Sequence, residues 1–281
     1  MVQQIGNRLL VAGFTDVGCV RTLNEDNFLI DEQLGLLAVA DGMGGHDAGE
    51  VASKLVLESI LNTLKDFTSS THDNQDSPHP GDDLDNELTI LNFSINEEPT
   101  VNEAPNPIFS VVQSAVNRAN AAVNSANQAK GYQDGMGMGS TLVGLWLPEY
   151  SEKPVIFHVG DSRLYLFSKG LLTQLTQDHS MYQQWVNYGK RGEAPAQNIL
   201  LQAMGPSNFV MPDVGFQDVS KGDIILLCSD GLSGMLSNEK IRSVLNVTNN
   251  NNLKESCLYL INQAKKAGGK DNITVILGYF L

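Results

Sequence analysis

The sequence predicts an α+β sandwich built on antiparallel sheets. Apolar runs of strand length recur along the whole chain. Two long segments carry a helical period. Strands and helices come in groups without strict alternation, which argues against a doubly wound parallel sheet.

The strand-like runs are "LLVAGFT" from Leu9, "NFLID" from Asn27, "LGLLAVA" from Leu34, "TLVGLWL" from Thr141, "PVIFHVG" from Pro154, "RLYLF" from Arg163, "DIILLCS" from Asp223 and "NITVILGYF" from Asn272. A helix is expected over 47–65, where Ala48, Val51, Ala52, Leu55, Val56, Ile60, Leu61 and Leu64 recur at three- and four-residue spacing. A second is expected over 108–130, with Ile108, Val112, Ala115, Val116, Ala119 and Val123 on one face. A third is expected over 253–267 and a short one over 238–245. With 281 residues and 42% hydrophobic content the chain can build one large core, and we read 1–281 as a single domain.

One segment breaks the pattern. Residues 68–107 are rich in Asp, Asn, Ser, Glu and Pro, as in "SSTHDNQDSPHPGDDLDNE", and read as an acidic, low-complexity insertion between the two long helices. His72 and His79 within it read as solvated loop residues. Its stretch "LTILNFSI" is apolar enough to dock on the body of the protein.

Composition excludes several functions. The formal charge of −14 argues against nucleic acid, which requires a basic surface. No apolar run reaches membrane-spanning length, and the N-terminus lacks a secretory pattern. The three cysteines are widely spaced and contain no CxxC, so they read as reduced thiols of a cytoplasmic protein.

Carboxylates recur at strand ends. Asp41 follows "LLAVA" and opens a stretch crowded with Gly42, Gly44, Gly45 and Gly49. Asp161 lies between two strand-like runs, Asp230 follows "IILLCS", and Asp271 precedes the last strand. Glu25 and Asp26 precede another, with Arg21 just upstream. Each alone is an ordinary turn residue. Together they suggest acids gathered on one rim, where they would repel unless cations neutralised them. No Cys or His accompanies them at regular spacing, and all-oxygen sites suit Mg²⁺ or Mn²⁺. Such ions can activate water and hold a phosphoryl oxygen, while Arg21 offers a planar fork for a phosphate.

The ordered set "RTLNED", "AVADGMGGHDAGEVAS", "GMGSTLVG", "HVGDSRLYLF", "LTQDHS", "LCSDGL" and "KDNITVIL" resembles the metal-dependent Ser/Thr protein phosphatases of type 2C, the PPM family, in its bacterial form. The resemblance implies a four-layer α-β-β-α sandwich, with two central antiparallel sheets flanked by helix pairs. It implies two Mn²⁺ or Mg²⁺ ions, with a place for a third. Asp41 would bridge two metals and the Gly42 carbonyl would ligate one of them. Asp230 and Asp271 would ligate the other. Glu25 and Asp26 would hold metal-bound waters, Asp161 with Asp230 would take the third ion, Arg21 would bind the substrate phosphate, and Asn272 would orient its neighbour.

The chain departs from the family pattern at two places. Met43 stands where many eukaryotic members carry a histidine, so the proton donor to the leaving group is unassigned. The segment "MYQQWVNYGKRGEAPAQNIL" after "QDHS" is several residues shorter than the usual bacterial flap. The expected activity is hydrolysis of phosphoserine and phosphothreonine by direct attack of a metal-bridging water or hydroxide, with no phosphoenzyme. The expected partner is a phosphoprotein, countering a Ser/Thr kinase, and the chain is expected to be a monomer. The rival readings are a non-catalytic phosphoprotein-binding module of the same fold and a two-metal phosphodiesterase.

Overall fold

Two antiparallel sheets lie face to face in a computed structural model that describes residues 2–44, 48–73 and 106–281. The elements, in chain order, are β1 (Gln3–Ile5), β2 (Leu9–Asp16), β3 (Asp26–Asp31), β4 (Leu36–Met43), α1 (Ala48–Asp73), α2 (Pro107–Ala129), β5 (Gly139–Ser140), β6 (Leu142–Trp146), β7 (Val155–Val159), β8 (Arg163–Ser168), β9 (Leu171–Gln174), α3 (Met181–Asn187), β10 (Asp213–Phe216), β11 (Ile224–Cys228), α4 (Asp230–Ser233), α5 (Asn238–Leu245), α6 (Leu253–Lys266) and β12 (Ile273–Phe280). One sheet runs β1-β2-β12-β11-β8-β9. The other runs β10-β7-β6-β4-β3, with β5 joined to the end of β4.

The layers follow from which face of each strand is apolar. In β4, Leu36, Ala38 and Ala40 turn outward and pack with Val56, Ile60 and Leu64 of α1 and Val112, Val116 and Val123 of α2. Leu37 and Val39 turn inward and meet Val11, Leu164, Ile225, Leu227 and Ile276 of the facing sheet. The second sheet buries its other face, including Tyr165, Leu226, Val275 and Leu277, under Ile241, Leu253, Cys257, Leu260 and Ala264 of α5 and α6. The result is the expected four-layer α-β-β-α sandwich. Every central strand is apolar on both faces, which is why these strands read as continuous apolar runs in the sequence.

The expected helices and strands appear with small shifts of boundary. Asn106 accepts a hydrogen bond from the Ile108 N–H through its side chain, and Pro107 follows it, which fixes the start of α2. Helix α1 continues through Thr68 to Asp73, six residues into the segment assigned to the insertion. The hydroxyls of Thr68, Ser69 and Ser70 donate back to carbonyls of Leu64, Lys65 and Asp66, so this polar run stays helical. The remainder of the insertion up to residue 105, including "LTILNFSI" and His79, lies outside the described residues, as do Gly45 and His46. The elements that sequence patterning does not reveal are β1, β5, β9, β10, α3 and α4. All are short, and β1, β9 and β10 are edge strands.

Candidate functional site

At one end of the sandwich the apolar layer between the sheets gives way to polar side chains. Residues two apart on a strand share a face. Asp41 therefore continues the inward face of Leu37 and Val39. Asp26 continues that of Phe28 and Ile30, both packed on the inter-sheet core. By the same alternation Thr141 precedes Val143, Ser162 precedes Leu164, Ser229 follows Leu227, and Thr274 precedes Ile276. Strands from both sheets thus deliver carboxylates and hydroxyls to a single rim.

Asp26 and Asp41 stand directly opposite each other on β3 and β4. Asp26 is buried, and its Oδ2 accepts hydrogen bonds from Ser229 Oγ and Thr274 Oγ1, both at 2.7 Å. Its Oδ1 is buried without a hydrogen-bond partner among the described residues. Burial, against the two hydroxyl bonds and with the charges of Asp230 and Asp271, pushes the Asp26 carboxyl up to about 7. Burial also raises Asp41 well above the usual carboxylate range, helped by the charges of Asp26, Asp230, Asp161 and Asp271. Asp161, in the turn between β7 and β8, is pushed up to about 7 by burial and by Asp230 and Asp178. Asp230, the first residue of α4, is raised by burial and by the charge of Asp271, with the neighbouring Asp41 side chain and the charges of Arg21 and Arg163 acting the other way. The structure therefore brings Asp26, Asp41, Asp161, Asp230 and Asp271 together as the strand-end reading expected.

This donor set fits hard divalent cations. It is all oxygen, it carries more negative charge than its buried surroundings can stabilise, and it contains an orphaned carboxylate oxygen. The backbone around Asp41 is held by hydroxyls. Thr141 Oγ1 accepts from the Asp41 N–H at 3.0 Å and lies 2.6 Å from Ser162 Oγ, next to Asp161.

The neighbouring loop is anchored by Asn272. Its Oδ1 accepts from the Glu25 N–H at 2.8 Å, and its Nδ2 donates to the carbonyls of Val17 and Leu23. Its own N–H donates to Asp271 Oδ1 at 2.9 Å. Glu25 accepts from the Gly49 N–H at the start of α1. The glycines have a role that the sequence does not suggest. A Cβ on Gly42 would lie 2.1 Å from the Gly49 carbonyl oxygen, and one on Gly49 would lie 2.3 Å from Glu25 Oε1. They let β4, α1 and Glu25 close on one another, which no side chain permits. Arg21 stands at the rim, half-exposed, with Nη2 2.7 Å from Asp271 Oδ2 and Nη1 3.9 Å from Glu25 Oε2. Met43 ends β4, half-buried, opposite Gly139.

Ser229, Thr274, Thr141 and Ser162 are site residues that motif spacing does not single out. Alternation accounts for them once the inward face is known: each continues that face beyond its last apolar residue. His158 packs inside β7 as its strand context suggests, with Nε2 2.9 Å from the Gln177 carbonyl oxygen. Cys19, Cys228 and Cys257 are all free thiols.

The sequence pattern of the family described as Protein phosphatase 2C matches residues 20–267. This chain belongs to the protein phosphatase 2C family. The site residues lie within the matched span except Asp271 and Asn272, which follow it, and Thr274. The Ser/Thr protein phosphatase PstP of Mycobacterium tuberculosis is 32% identical over 96% of this chain, which spans 44% of that protein's length. The Ser/Thr phosphatase Stp of Listeria innocua is 31% identical, covering 94% of this chain and 92% of its own. The crystal structure of the PstP catalytic domain in complex with two manganese ions superposes with a TM-score of 0.72 at 30% identity, covering 98% of this chain and 99% of that one. Stp1 from Staphylococcus aureus superposes with a TM-score of 0.75 at 27% identity, over 99% and 97% of the two chains. No helix among the described residues of this phosphatase-family chain is long and apolar enough to cross a membrane.

Proposed function

We propose that this chain is a Mn²⁺- or Mg²⁺-dependent protein phosphatase that hydrolyses phosphoserine and phosphothreonine. The observation that carries this reading is the convergence of Asp26, Asp41, Asp161, Asp230 and Asp271 from both sheets on one rim, with the Arg21 guanidinium at its edge. Family membership and a manganese-bound relative support it.

Asp41 and the Gly42 carbonyl, with Asp230 and Asp271, would hold two cations, and Asp161 with Asp230 would hold a third. Bound there, the cations offset the carboxylate charge, lower the pKa of a water and polarise the phosphoryl oxygens. Asp26 Oδ1, without a hydrogen-bond partner among the described residues, would take a hydrogen bond from a water in the centre, while Ser229 and Thr274 fix the carboxyl through Oδ2. Glu25 stands beside it. Arg21 presents two N–H groups in one plane to the phosphate, steered by Asp271 at the rim. Met43 has no proton to give a leaving alkoxide. We infer further that the substrate is a phosphoprotein modified by a Ser/Thr kinase, that the protein works in the cytoplasm, and that it acts as a monomer.

The test is a metal-stripped preparation assayed on a phosphoserine peptide and on an aryl phosphodiester. Activity on the peptide should vanish in excess chelator and return with Mn²⁺, with the diester turned over far more slowly. Undiminished peptide hydrolysis in chelator would contradict a metal-dependent mechanism. A preference for the diester would favour a phosphodiesterase, and binding without turnover a non-catalytic module.

A further inference from the structure

Asp161 is preceded by Gly160, whose φ of +101° places it in a region that L side chains rarely adopt. Glycine permits this conformation but contributes no side chain to hold it. The hold comes from His179. Its backbone N–H donates to the Gly160 carbonyl at 2.9 Å, and its ring Nδ1 accepts from the Gly160 N–H at 3.3 Å. One residue thus binds both polar groups of the residue next to Asp161.

The ring is itself fixed. It stacks on His158 with centroids 4.5 Å apart and planes at 27°, and its Nε2 lies 3.4 Å from Asp213 Oδ2. These bonds settle where the protons are. A ring whose Nδ1 accepts from Gly160 carries its proton on Nε2 and donates it to Asp213. His158 likewise uses Nε2–H toward the Gln177 carbonyl. His158, His179 and Asp213 stand close enough together to suggest a metal site. Both rings, however, present N–H where a metal would need lone pairs, so the trio is a hydrogen-bonded support.

The adjoining residues brace the same turn. Asp178 binds Arg163 through Nη2 at 2.6 Å and Nε at 2.9 Å, two residues beyond Asp161. Ser180 caps α3 by accepting from the Gln183 N–H.

We propose that His179 is the positioning residue for Asp161, acting through the Gly160 peptide. This rests on the reading that Asp161 holds a cation. A side chain that orients a ligand through its neighbour changes metal affinity at that ligand and leaves the other sites alone.

Two near-isosteric variants separate the contacts of the ring. The amide oxygen of His179→Asn lies near the place of Nδ1 and can accept from Gly160, with nothing to reach Asp213. The longer His179→Gln can reach Asp213 and loses the Gly160 contact. Mn²⁺ is titrated calorimetrically into the metal-stripped parent, both variants and Asp161→Ala. Asp161→Ala should lose the weakest class of Mn²⁺ site. His179→Gln should weaken that same class by about tenfold and leave the tighter sites near parental affinity, whereas His179→Asn should stay close to the parent throughout. If Asp161→Ala binds Mn²⁺ like the parent, Asp161 holds no ion, and both that reading and this inference fall. If Asp161→Ala loses the site but the Asn and Gln variants match each other, the inference alone is overturned. Equal weakening of every site in His179→Gln overturns it too, since the ring would then support the whole fold.

Discussion

Asp26 and Asp41 face each other as a directly opposed pair on β3 and β4, both on the inward side of the sheet. Two carboxylates so placed in an apolar layer raise each other's proton affinity. Side-chain hydroxyls brace the Asp26 carboxyl, through Ser229 and Thr274, whereas at Asp41 the hydroxyl of Thr141 holds the backbone N–H. That asymmetry fixes the Asp26 carboxyl beside Asp41, which also feels the charges of Asp230, Asp161 and Asp271.

The first consequence concerns pH. Asp26 and Asp161 are raised in the folded protein from an ordinary 3.8 to about 7. Below the lower value both folded and unfolded chains are protonated. Between the two values only the folded chain holds these protons, and above the higher one neither does. The metal-free protein should therefore lose stability as pH rises from about 4 to about 7 on account of these groups, and level off above that. A cation must displace the same protons. Its effect on the melting temperature should thus be larger at about pH 8 than at about pH 6. Melting curves with and without Mn²⁺ at both values check this, and an equal shift at both would contradict it.

Ser229 carries two bonds at once. Its hydroxyl donates to Asp26 Oδ2 and accepts from the Thr274 N–H at 3.0 Å. Ser229→Ala removes one of the two hydroxyl bonds to a buried carboxylate oxygen and strands the buried Thr274 N–H. The expected cost is about 1–3 kcal/mol in urea unfolding of the metal-free protein. Thr274→Ser, which retains the hydroxyl, should cost less than Ser229→Ala.

The strands and long helices were legible because their apolar residues are spaced for burial, and the rim aspartates because each interrupts such a run. Seven ordered motifs pointed to the family. What stayed hidden was the facing of residues. Leu36 and Leu37 look alike in sequence, yet one packs on helices and the other between sheets. In a strand buried on both sides, nothing marks the inward parity that joins Val39 to Asp41 or Leu227 to Ser229. The partners of a carboxylate are equally hidden, because Ser229 and Thr274 reach Asp26 from more than 200 positions away. The role of Gly42 and Gly49 in letting the chain close on itself depends on packing that no local pattern encodes.

Asp161 gives an asymmetric expectation. A phenolate leaves without help, whereas a serine alkoxide needs a proton, and Met43 cannot supply one. Asp161→Ala should slow phosphoserine peptides far more than para-nitrophenyl phosphate. Equal fractional losses on both substrates would make Asp161 a general support of the centre.

The acidic segment offers a further test. Replacing residues 75–104 with a Gly/Ser linker spares α1, which ends at Asp73, and the Asn106 cap of α2. Hydrolysis of an aryl phosphate by the shortened protein should stay close to that of the parent. A large loss in a folded variant would show that "LTILNFSI" docks near the site.

Asp41→Asn bears most directly on the claim that strand-end carboxylates build a cation-dependent hydrolytic centre. It keeps the size of the side chain and removes the charge. Mn²⁺ binding and phosphopeptide turnover should be measured on the same metal-stripped samples of parent and variant. The expected result is a folded variant with weakened Mn²⁺ binding and turnover lower by on the order of a thousandfold, as loss of metal-assisted charge stabilisation implies. A folded Asp41→Asn protein that binds Mn²⁺ and turns over substrate like the parent would contradict it.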